Sequence, residues 1–199
     1  MSELDGLSGR IDAIVIGASA GGIEALMTLL PGLGATLSIP IFIVLHLPRD
    51  RPSLLPEIFA PKCPLMVCEA QDKEPVRPGT VYFAPPDYHL LIDEGPRLAL
   101  SCDEPVNYSR PSIDVLFESA ADVYGPRLLG IILTGANEDG AAGLAAVHSA
   151  GGISIVQQPH SAQVKSMVLS ALSRNPSSHV LELEDISALL ATLNRDATP

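Results

Sequence analysis

Short aliphatic runs alternate along the chain with stretches whose apolar positions recur every three or four residues. Residues 11–16 (IDAIVI), 40–45 (PIFIVL), 128–133 (LLGIIL) and 153–157 (ISIVQ) are almost continuously apolar, which suits strands buried in a parallel sheet. Two weaker strand candidates follow at 65–69 and 179–183. Helical patterns fill the gaps at 23–30, 112–123, 141–150, 161–173 and 186–193, with a short or broken helix at 53–59. Residues 70–110 differ. Strands at 81–83, 89–92 and 98–101 sit between turn signals (Arg77-Pro78-Gly79, Pro85-Pro86-Asp87, Asp93-Glu94-Gly95-Pro96), a spacing that suits antiparallel hairpins. The expectation is an α/β fold: a doubly wound, mainly parallel sheet with helices on both faces and an antiparallel hairpin at one edge. Residues 1–10 read as a polar tail and 11–199 as one domain, without repeat or linker. In such sheets, sites form in the loops beyond the carboxyl ends of the strands.

Composition narrows the function. The 199 residues contain 4% aromatics and no Trp, so the core has to be built from Ile, Leu, Val and Ala. Twelve Lys and Arg against 23 Asp and Glu leave a net charge of −11, which argues against nucleic acid and anionic membrane surfaces as partners. Cys63, Cys68 and Cys102 form no C-x-x-C pair, so neither a disulfide framework nor a zinc site is expected. The N-terminus shows no basic segment leading into an apolar stretch, hence no visible signal peptide. The longest apolar run, 39–47, is broken by Pro40 and His46 and is shorter than the ~20 residues of a membrane helix. A soluble cytoplasmic domain is expected, with no insertion into the membrane.

The first strand ends in Gly17-Ala18-Ser19-Ala20-Gly21-Gly22. A dinucleotide loop fails because Ser19 occupies the second glycine position, and no P-loop lysine is present. A plain glycine-rich turn and a G-x-S-x-G nucleophile elbow both remain open. A serine nucleophile needs a base. His46 directly follows PIFIVL and should emerge beside Ser19; His160, after another strand, is the rival, while His89, His148 and His179 lie in less suitable places. The base in turn wants a carboxylate. Glu138 and Asp139, in the loop after LLGIIL, both qualify, and either could instead cap the helix that follows.

These motifs coincide with one family. GASAGG after the first strand, HLP at His46, NYSRPSIDVLF at 107–117 and LTGANEDGAAG at 133–143 together resemble the catalytic domain of the chemotaxis protein-glutamate methylesterases, the CheB family, over residues 11–193. The resemblance implies hydrolysis of γ-glutamyl methyl esters on chemoreceptors, a related deamidation of receptor glutamines, and no cofactor or metal. It makes Ser19 the nucleophile, His46 the general base and then acid, and Asp139, placed before Gly140 in N-x-D-G, the orienting carboxylate. The oxyanion is expected to face the backbone N–H groups of Ala136 and Ala20.

There are departures from the family pattern. Ala136 stands where Met is usual, and 166–170 (SMVLS) replaces a Met-Pro-Arg-Ala-like segment. The family's N-terminal phosphorylatable receiver domain has no counterpart in this sequence, and a separate regulatory receiver protein is one candidate partner. The methylated cytoplasmic region of a chemoreceptor is the expected substrate. Arg49, Arg51 and Arg110 are candidates for a positive rim around the site, or else merely offset nearby acids. The competing readings are a non-catalytic protein-binding module of a signalling array and an esterase acting on an unrelated small ester.

Overall fold

The computed structural model describes residues 4, 6–47 and 53–193. Seven strands form one wholly parallel sheet: β1 (Ala13–Ala18), β2 (Ile41–Leu45), β3 (Met66–Glu69), β4 (Thr80–Phe83), β7 (Leu128–Ile132), β8 (Ile153–Gln157) and β9 (His179–Leu181). Their order is β3-β4-β2-β1-β7-β8-β9, so the winding reverses between β1 and β7. At such a reversal the loops on the carboxyl side diverge and leave a crevice.

The apolar runs form strands because both sides of the sheet are covered. Period-2 alternation sends Ile14, Ile16, Ile41 and Ile43 to one face, where they meet Leu26 and Leu29 of α1 (Gly22–Leu29), Phe59 of α2 (Leu55–Phe59), and Ile186 and Leu190 of α6 (Leu183–Thr192). Ala13, Val15, Phe42 and Val44 go to the other face. There they pack with Leu116 and Phe117 of α3 (Ile113–Tyr124), Leu144 and Val147 of α4 (Ala141–Ser149), and Val168 of α5 (Ser166–Arg174). No helix among the described residues is long and apolar enough to cross a membrane.

Several details depart from the sequence expectation. The antiparallel hairpin exists as β5 (His89–Asp93) and β6 (Arg97–Ser101), but it is a two-stranded sheet of its own rather than an extension of the main sheet's edge. Its apolar residues Leu90, Ile92 and Leu98 pack in the α3 cluster, and the Ile92 N–H donates to Ser119 Oγ on α3 at 3.1 Å. The segment at 81–83, grouped with the hairpins by its short length, is β4 and pairs in parallel with both β2 and β3. Helix α5 starts at Ser166 instead of 161, because the peptide at Val164 is held elsewhere: its N–H donates to Thr134 Oγ1 at 2.9 Å and its carbonyl accepts from Gly135 N–H at 3.1 Å. Within the polar N-terminal run, Leu7 is buried in the core.

Candidate active site

Strand register brings the first two candidates together. β1 and β2 pair with Ala18 opposite Leu45, and His46 N–H donates to the Ala18 carbonyl at 3.1 Å. Ser19 and His46 therefore leave neighbouring strands side by side, about 4.8 Å apart in backbone terms. Ser19 is also tied to the third loop, its N–H donating to the Thr134 carbonyl at 3.0 Å. The chain turns at Gly21, whose φ of +82° is left-handed and where a Cβ would meet the side chains of Gln163 and Thr134. The sharp elbow anticipated from G-x-S-x-G needs that freedom.

The centre of the site is Asp139, which is fully buried. Its Oδ2 accepts from His46 Nε2 at 2.9 Å and from Ile113 N–H at 2.6 Å. Its Oδ1 accepts from Ser112 Oγ at 2.7 Å, Asn107 Nδ2 at 3.1 Å and Asp114 N–H at 3.2 Å. Burial pushes this carboxyl's pKa upward, but the hydrogen bonds from His46, Ile113, Ser112 and Asn107 outweigh it and hold the pKa below the ordinary carboxylate range. Asp139 is thus ionised at neutral pH and can only accept. It follows that His46 Nε2 is the donor in this bond, which leaves Nδ1 as the ring nitrogen that Asp139 does not engage.

A second carboxylate mirrors the first. Asp139 receives the first two N–H groups of α3, whereas Asp114, in the first turn of α3, receives Gly140 N–H at 2.9 Å and Gly143 N–H at 2.6 Å at the start of α4. Each acid caps the helix that the other belongs to or precedes. The Asn107 amide joins them, donating to Asp114 Oδ2 at 2.8 Å as well as to Asp139. The Asp114 pKa is raised, by burial first and also by the charge of Asp139, against the lowering effect of the Gly143 and Gly140 N–H groups and Asn107.

Of the two acids in the loop, Asp139 turns inward and Glu138 is exposed. Of the two histidines, His46 reaches Asp139, while His160 pairs with Glu182 at 2.9 Å and is 71% exposed. Ala20 and Ala136 are exposed, and neither backbone N–H is engaged among the described residues. Arg110 is not a free rim cation. Its Nε and Nη2 donate to Asp87 Oδ1 at 3.1 and 2.8 Å, and its Nη1 to the carbonyls of Cys102 and Asp103. Arg49 and Arg51 lie outside the described residues. In the departing 166–170 segment, Met167 is buried against Gly135 and Leu169 is exposed. No group of three or more His, Cys, Asp or Glu side chains among the described residues could hold a metal ion.

Asn107, Ser112, Asp114 and His89 escaped the sequence reading. His89, buried on β5, accepts Ser112 N–H at Nδ1 and donates from Nε2 to the Glu104 carbonyl, which steadies the residue whose hydroxyl holds Asp139. The run NYSRPSID carried the only signal, as a motif without assigned roles.

A parallel doubly wound sheet with Ser19, His46 and a buried Asp139 in the loops at its reversal point describes a class of α/β domain with a serine, a histidine and an aspartate at its carboxyl edge. Comparison with known proteins narrows this. The family model described as CheB methylesterase matches residues 14–190. A relative from Leptospira interrogans is 45% identical over 185 residues, 93% of this chain and 96% of its own length. A protein-glutamate methylesterase/protein-glutamine glutaminase 2 of Caulobacter vibrioides is 38% identical over 192 residues, which is 94% of this chain but 55% of that protein. The crystal structure of the Thermotoga maritima CheB methylesterase catalytic domain superposes with a TM-score of 0.86 at 32% identity, covering 91% of this chain and 97% of the other. The chain belongs to the CheB methylesterase family and is a hydrolase of that family.

Proposed function

We propose that this protein hydrolyses γ-glutamyl methyl esters on the cytoplasmic region of chemoreceptor-like proteins, and deamidates receptor glutamines at the same site. The observation that carries this reading is the 2.9 Å bond between His46 Nε2 and the buried, ionised Asp139, at the sheet edge where strand register delivers Ser19. In the proposed cycle, His46 Nδ1 takes the proton of Ser19 Oγ as the oxygen attacks the ester carbonyl. The backbone N–H groups of Ala20 and Ala136 face the developing oxyanion. His46 then returns the proton to the departing methoxide, giving methanol and a glutamyl ester on Ser19. Water, deprotonated by the same imidazole, releases glutamate and restores the serine. With a glutamine substrate the leaving group is ammonia and the steps are otherwise the same. Asp139 holds the imidazole in the required tautomer and supports its transient positive charge.

The test is methanol release from a methylated chemoreceptor cytoplasmic fragment. Wild type and His160→Asn should release it, whereas Ser19→Ala and His46→Asn should fall by several powers of ten. Absence of methanol release by wild type would overturn the reading and favour a binding module, and equal release by wild type and Ser19→Ala would remove Ser19 as the nucleophile.

A further inference from the structure

Four of the five donors to Asp139 come from His46 and from the start of α3, which supplies Ser112 Oγ and the N–H groups of Ile113 and Asp114. The fifth, Asn107 Nδ2, comes from a separate turn. It reaches both buried acids, donating to Asp139 Oδ1 at 3.1 Å and to Asp114 Oδ2 at 2.8 Å. We propose that Asn107 is a positioning residue of the reaction: its amide closes a ring of contacts that fixes the Asp139 carboxylate against its own backbone, and so holds the His46 imidazole in its working orientation. The inference rests on the methylesterase reading above and adds to it a residue that acts through Asp139.

The ring can be followed atom by atom. Asn107 Nδ2 donates to Asp139 Oδ1, and the next residue along the chain, Gly140, donates its N–H to Asp114 Oδ1 at 2.9 Å. Asp114 Oδ2 then returns to Asn107 Nδ2. The side chain of Asp139 and the peptide that follows it are thus tied to the same two residues, which restricts the side-chain torsions of the acid. Only the Asp114 N–H makes a comparable link, and at 3.2 Å its bond is the longest of the five.

Chemistry favours an amide at this point. A cation between two buried carboxylates would relieve their repulsion, but it would also compete for the charge with which Asp139 supports protonated His46. A primary amide is neutral and carries two N–H donors on one nitrogen. It can satisfy one oxygen of each acid and leave the charge of Asp139 intact.

The backbone delivers this amide without requiring it. Val106 and Ser109 exchange backbone hydrogen bonds of 3.1 and 2.8 Å around Asn107 and Tyr108, whose φ values are +51° and +61°. A tight turn with both central residues left-handed takes Asn, Asp or Gly at the first of them. The turn is also pinned to the loop that carries Asp139, because Asn137 Nδ2 donates to Ser109 Oγ at 3.3 Å.

That tolerance supplies the test. Asn107→Gly and Asn107→Asp both suit the turn, and both remove the amide donors. Each is expected to lower kcat for methanol release from a methylated receptor cytoplasmic fragment by at least about 10-fold. KM should stay unchanged, and thermal unfolding confirms that the fold is retained. In an Asp139→Asn background, Asn107→Gly should cost no more than about 2-fold beyond Asp139→Asn alone, because a residue acting through Asp139 has nothing left to position. A full-sized loss in that background, a loss confined to KM, or a wild-type kcat in either folded variant would overturn the role of Asn107. Either variant decides alone if the other fails to fold. A wild type that releases no methanol overturns the methylesterase reading itself, and the positioning role falls with it.

Discussion

Asp139 carries two duties at once, and that shapes what its removal should do. Its five donors come from one side chain of the proposed triad and from four groups of the 107–114 segment. In Asp139→Asn an amide N–H₂ has to face at least one of these donors. Each buried donor left unpaired costs about 1–3 kcal/mol. Asp139→Asn is therefore expected to lower kcat by at least about 100-fold and also to lower the melting temperature. Exposed Glu138→Gln should keep kcat within a few-fold of wild type and leave stability unchanged. Steady-state kinetics on methylated receptor together with thermal unfolding check both. A larger loss at Glu138 would remove Asp139 from the proposed mechanism and leave it as the cap of α3.

At the scale of elements, helices α3 and α4 are joined through their N-termini by two carboxylates that respond to pH in opposite ways. Asp139 has a lowered folded pKa. Its contribution is present above the ordinary carboxylate value of about 3.9 and disappears as pH falls through the folded value. The Asp114 pKa is raised, so its contribution is present below about 3.9 and is lost as pH rises through its folded value. In Asp114→Asn the second titration is absent. The melting temperature of this variant, relative to wild type, should therefore rise between about pH 4 and pH 7. Thermal unfolding across that range is the measurement, and a difference that stays flat or falls with pH would show that the Asp114 charge is not disfavoured in the fold. The close approach of these helices also depends on Gly143, where a Cβ would meet Phe117 Cβ at 2.6 Å and the Asp114 Cα at 2.9 Å.

For the molecule as a whole, the reversal of strand order between β1 and β7 opens the carboxyl edge where the three loops converge. The proposed chemistry runs through protein groups alone. Millimolar EDTA should therefore leave methanol release unchanged, and a loss restored by added metal would overturn that part of the mechanism.

Sequence alone determined the alternation of elements, the carboxyl-edge location of the site and the residues Ser19, His46 and Asp139 as candidates. All of these follow from local pattern: apolar runs long enough for buried strands, glycines where the backbone turns, and polar residues immediately after strand ends. The choice between Glu138 and Asp139 rested on family resemblance, because two adjacent acids in one loop are equivalent in any local argument. Tertiary structure separates them by burial, turning one into the α3 N-terminus and the other into solvent. It also decided what no spacing rule reaches. The β5–β6 pair stands apart because its apolar face has helix α3 to cover it. Helix α5 begins late because Val164 is drawn to Thr134 and Gly135, thirty and twenty-nine positions away in sequence. Asp114 and Asn107 serve the site through partners distant in sequence, Asp139 and the N–H groups of Gly140 and Gly143, a relation that exists only once α3 and the start of α4 have packed.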